Sequence, residues 1–227
     1  MRNALAYELV RVRTLRSTWV LLLSAGSLQF ASGLYWGLKR DLGDLDAFAS
    51  AFGLVDRLGA LLVAAVGVAA FGLDHEHGTL ATTRLVLRSP VRIVAARALV
   101  TAGLGLLAGV LMVVLTAAGV VTGGGALPAD AGAAGRVASA VLLLTVLSGL
   151  AGVALGGLLR HTALAVGIFA VWVFVAETTL AALADVPVTA LPISGTALSA
   201  VPGTLGYAAL VLVALGATTF TLARRDG

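Results

Sequence analysis

Long stretches of this chain carry no charge, and short charged intervals set them apart. The first uncharged run covers residues 17–38, between Arg16 and Lys39. At about 1.5 Å per residue, a helix of that length crosses about 30 Å of hydrocarbon. Trp19 and Trp36 stand near its two ends, where interfacial aromatics gather. A second run, 58–73, is short for a crossing. The span is therefore predicted over 55–73, with Arg57 reaching for the headgroups along its aliphatic stem. Further spans are predicted at 98–121, closed by the loop signal TGGGALPAD, and at 137–159. The fifth, 162–184, contains a single acid, Glu177. The sixth, 205–223, follows a region punctuated by Pro187, Pro192 and Pro202.

Composition agrees with this pattern. The chain is 59% hydrophobic and 11% charged, against about 25% charged in soluble domains. Its mean hydropathy is +1.04. Too little polar surface exists to cover a water-soluble globule, so lipid must solvate most of it. The expectation is an all-α integral membrane protein: an N-terminal interfacial helix over 1–16, then one six-helix transmembrane domain over 17–227. The net charge of +4 would suggest nucleic acid in a soluble protein. In a membrane protein such bases gather on cytoplasmic loops, so no nucleic-acid partner is expected.

Six spans put both termini on one side. Placing them in the cytoplasm puts Arg2, Arg11, Arg13, Arg16, Arg84, Arg88, Arg92, Arg97, Arg160, Arg224 and Arg225 there, eleven of the fifteen bases. The outer side keeps Lys39, Arg40, Arg57 and Arg136, interleaved with Asp41, Asp44, Asp46, Asp56, Asp130 and Asp185. This asymmetry follows the positive-inside rule. Within residues 2–16, Leu5, Leu9, Val12 and Leu15 share an arc, with Glu8 and Arg16 close beside it. That ragged pattern fits a surface-lying helix or an unstructured basic anchor. Glycines recur four apart at Gly33/Gly37, Gly105/Gly109 and Gly152/Gly156, a spacing that permits close helix approach.

Charge concentrates in one interior stretch, GLDHEHGTLATTRLVLRSPVRIVAARALV, over 72–100. His75 and His77 are two residues apart, so on a helix they diverge by about 200° and make a poor metal pair. No phosphate-loop pattern is present, and no paired base for a serine nucleophile lies in the spans. No catalytic residue, metal ligand or cofactor of this chain's own is expected. Read locally, Gly78 ends one helix, Thr79 caps a short new one carrying Arg84 and Arg88 on one face, and Ser89-Pro90 stops it. Such a basic, half-apolar helix suits either a membrane surface or a soluble partner.

The order EHGTLATTRLVLRSPVR over 76–92 resembles the signature loop of ABC-2 type transporter permeases. The N-terminal ELVRVRTLRSTW, the loop LPISGTALSAVPG and the C-terminal TLARRDG resemble the corresponding parts of that family. The likeness covers the whole chain in order, although Glu76 precedes Gly78 by one residue fewer than the family's spacing. It implies a transmembrane subunit of an exporter in the bacterial cell membrane, paired with a second permease subunit, identical or related. It also implies cytoplasmic ATPase subunits that bind ATP and Mg on their own chains, so this subunit is no enzyme. Glu76, His77, Gly78, Thr79, Leu80, Arg84, Arg88 and Arg92 would couple to the ATPase. Glu8, Arg11, Arg13 and Arg16 would act in the N-terminal helix.

Two other classes fit the composition: a secondary transporter using Glu177 as its proton site, and a channel-like or scaffolding membrane protein. Intramembrane acids are functional candidates, although Glu177 can also serve as an interfacial acid bonded to Thr178, Thr179 or a neighbouring helix. Gln29, Tyr35, Trp172 and Glu177 are the candidates for a substrate pathway. Each suits packing equally well.

Overall fold

The structure is a computed structural model that describes residues 2–39, 44–76, 90–184 and 186–224. The long helices are α1 (Arg2–Thr14), α2 (Arg16–Leu38), α3 (Asp44–Glu76), α4 (Pro90–Thr122) and α5 (Ala131–Leu159). They continue with α6 (Thr162–Leu183), the short α7 (Pro192–Ala197) and α8 (Val201–Ala223). No strand occurs among the described residues. Among the described residues, five helices are long and apolar enough to cross a membrane: most of α3, then α4, α5, α6 and α8. This is a multi-pass membrane protein. The run 17–38 does form a helix of crossing length, α2, but Ser24, Ser27, Gln29 and Ser32 make it more polar than the other five.

The second span starts earlier than its charges suggest. Helix α3 begins at Asp44, and its apolar part runs from Phe48 to Gly72, so Asp56 and Arg57 belong to the span and not to a loop. Non-helical backbone at Gly53 interrupts α3. In lipid the backbone groups freed by such a break need partners within the protein. Helix α2 supplies them. Ser32 Oγ donates to the Ala51 carbonyl at 2.6 Å. With its amide oriented to satisfy both ends, Gln29 donates to Ala51 O at 3.3 Å and to Thr116 Oγ1 at 3.1 Å, and accepts from Asp56 N at 3.3 Å.

Helices α3 and α5 form the centre, each 56% buried along its apolar window, whereas α6 and α8 are 22% buried and lie at the periphery. All three glycine pairs fall in helix interfaces. A Cβ on Gly33 or Gly37 would strike the Thr116 or Val120 backbone of α4, and one on Gly105 would meet Thr145 and Val146 of α5. On Gly152 or Gly156 it would collide with the Ala64 or Val68 carbonyl of α3. Small residues there let backbones touch, the main source of helix association where solvent is as apolar as the side chains. Buried polar contacts add to it: Tyr207 and Ser148 hydroxyls meet at 3.0 Å, and Thr218 Oγ1 donates to Ala154 O at 3.1 Å.

Candidate functional site

Two buried charge clusters sit at opposite ends of the bundle. The first is built by α1. Glu8 lies on the helix face turned inward and is 3% exposed. Its Oε1 accepts from Arg97 Nε of α4 at 3.0 Å, and its Oε2 accepts from Arg11 Nη1 at 3.1 Å. Arg11 also donates to the carbonyls of Ala70 at 2.9 Å and Ala69 at 3.1 Å, toward the C-terminal end of α3. The Arg97 guanidinium, fully buried, stacks 4.1 Å from the Phe71 ring. A carboxylate held by two guanidiniums, one of them anchored on carbonyls, satisfies groups that would be costly to bury alone. The raggedness of the α1 pattern has its cause here: Glu8 and Arg11 are the docking contacts, while Arg13 is exposed and Arg16, also exposed, opens α2 instead of closing α1.

Of the residues expected to couple to an ATPase, His77, Gly78, Thr79, Leu80, Arg84 and Arg88 lie outside the described residues. Glu76 is the last residue of α3, and Arg92 is exposed in the first turn of α4. The C-terminal end of α3 and the start of α4 thus both lie at the end where α1 docks.

The second cluster lies at the other end. Glu177 is fully buried, and Thr178 and Thr179 bond instead to carbonyls of their own helix. Its Oε1 accepts from Ile193 N at 2.7 Å, and its Oε2 accepts from Ser194 N at 2.8 Å and Ser194 Oγ at 2.6 Å. It thus ties the first turn of α7 to α6. Five residues of α6 before it, Trp172–Ala176, form a π-helical turn. Such turns recur at functional positions. Ser194 Oγ in turn accepts from Arg57 Nη2 at 3.0 Å, so the half-buried Arg57 is tied to α7.

Beside this relay lies a pocket of about 790 Å³ between α3, α5 and the segment 188–199. Phe52, Leu45, Val137 and Val141 give it apolar walls, and Asp56, Arg57, Ser194, Ser199 and Arg136 give it polar ones. Asp56 is 2% exposed, and its Oδ1 has no hydrogen-bond partner among the described residues. Ser199 Oγ donates to Arg136 O at 3.0 Å and joins the α7–α8 turn to α5.

The four residues expected along a substrate pathway are not brought together. Gln29 supports the α3 break. Tyr35 is exposed, stacks edge-on to Trp36 at 5.4 Å and lies 5.0 Å from Lys39 Nζ, as an interfacial anchor would. Trp172 packs on the core beside Phe169 and Val173. Glu177 reaches the pocket only through Ser194.

No protein-family model and no curated protein matches the chain. Asp56, Arg57, Arg97 and Ser194 are the residues that reading the sequence missed. The available signal was an Asp-Arg pair at 56–57 and a lone Arg97, each set among apolar residues that extend the adjacent spans.

Proposed function

We propose that this chain is the permease subunit of an ATP-binding-cassette exporter in the bacterial cell membrane. It crosses six times with both termini in the cytoplasm and carries a lipophilic or amphiphilic compound, such as an antibiotic or a lipid. A separate ATPase subunit binds ATP and Mg and drives it, and a second permease subunit, identical or related, completes the membrane part.

The observation that carries this reading is the docking of α1. Through Glu8 and Arg11 it is fastened to both α3 and α4, the two helices that bracket the basic segment 77–89. A push on that segment or on α1 is passed to two packed spans through charge-assisted hydrogen bonds, as a motor-driven permease requires. The Asp56 pocket, at the opposite end, then faces the outer leaflet.

The test is purification of the intact chain from its native membrane and identification of what accompanies it. A co-purifying ATPase is expected, and its absence sinks the reading. Neutralising Glu76, Arg84 and Arg88 together should reduce ATP-dependent transport and ATPase association while membrane insertion persists.

A further inference from the structure

The pocket at the α7 end holds an imbalance of charge. Among the described residues, its buried or half-buried ionisable groups are Asp56, Arg57 and, behind Ser194, Glu177. Arg57 is engaged with Ser194, whose hydroxyl and backbone N–H face Glu177, so that acid and that base already answer one another through a single hydroxyl. Arg136 stands at the rim and is exposed, where water and salt screen it. Asp56 is left as a buried carboxyl whose Oδ1 accepts nothing from the described residues. An acceptor in so enclosed a place is completed by a donor, and a carboxylate best by a cationic one.

The rest of the pocket says what carries the donor. A bare metal ion would need several anionic oxygens close together, yet Asp56 is the one carboxyl among the described residues that line the pocket. The volume of about 790 Å³ is that of a site for an organic molecule, which ordinarily runs to about 300–1,000 Å³. We propose that this pocket binds a monocationic amphiphile, with its ammonium N–H donating to Asp56 and its apolar body lying against Phe52, Val137 and Val141. As the substrate class of an exporter, the assignment rests on the permease reading above. The Glu177–Ser194–Arg57 relay is a positioning device: it fixes the α7 wall and engages one nitrogen of the Arg57 guanidinium.

The probe is dansylcadaverine, a fluorescent primary amine, with its neutral N-acetyl derivative as control. Both are titrated against the full chain in lipid nanodiscs, with empty nanodiscs subtracted. Wild type should bind the amine at least tenfold more tightly than the acetylated form. Asp56→Asn should weaken the amine at least tenfold and leave the acetylated form unchanged. Equal affinity of wild type for the two probes overturns the proposal without reference to any variant. So does an Asp56→Asn protein that keeps the preference. Binding needs no ATPase, so an amine-selective chain without an ATPase partner fails the transporter reading alone. An ATPase-coupled chain blind to the charge fails this one alone.

Discussion

The two buried charge clusters use the same chemistry to opposite ends. At the α1 end, Glu8 has a guanidinium on each oxygen, and Arg11 also donates to two helix carbonyls. At the α7 end, Glu177 is equally well served, but Asp56 beside it keeps an unanswered oxygen in a pocket. A closed cluster fastens helices together. An open one leaves an acceptor without its donor. In a low-dielectric setting the difference is large, because a buried charge without a partner costs several kcal/mol.

The comparison breaks first at Arg97. Arg97→Met leaves Glu8 buried with one partner fewer and should cost about 3–5 kcal/mol, seen as loss of monodisperse protein on gel filtration. Changing Glu8 to Met as well should recover most of that loss, since an apolar pair of similar size replaces the ion pair. If the double variant is no better than the single one, the pair is not the fastening. Next in size is Gln29→Leu, which strips the Gly53 break in α3 of its side-chain amide and should cost about 1–3 kcal/mol for the backbone groups left unmet. A lowered midpoint of thermal inactivation in detergent checks it.

Glu177→Gln removes the charge that holds the start of α7. An effect of about 1–2 kcal/mol, confined to that segment, is expected. Faster amide exchange in 191–198 with the α3–α5 centre unchanged is the signature. The smallest effect on stability, and the one that sharpens the contrast most, belongs to Asp56→Asn. Removing an unanswered buried carboxyl should leave the thermal midpoint level or raise it, the reverse of Arg97→Met. A marked drop would mean that Asp56 has a structural partner after all.

How far these clusters could be read from residues alone follows from what each part depends on. The uncharged runs and the glycine pairs were legible because both are local: a run length sets whether a helix can cross, and a spacing of four sets one helix face. Gly152 and Gly156 duly meet α3, as Gly33 and Gly37 meet α4. The charged residues were harder. Asp56 and Arg57 read as the edge of a span because charge normally marks one, yet the apolar stretch of α3 extends past them to Phe48. Arg97 reads as one more cytoplasmic base until Glu8, 89 positions away, is found beside it.

The sequence by itself therefore determined the solvent, the helical class and the close-packing faces, since hydrophobicity and side-chain size act residue by residue. Only the tertiary structure decided which charges are spent and which are kept. Ion pairs such as Glu8–Arg97 and a void such as the one beside Asp56 exist only once distant helices have been brought together, and no local pattern records the meeting.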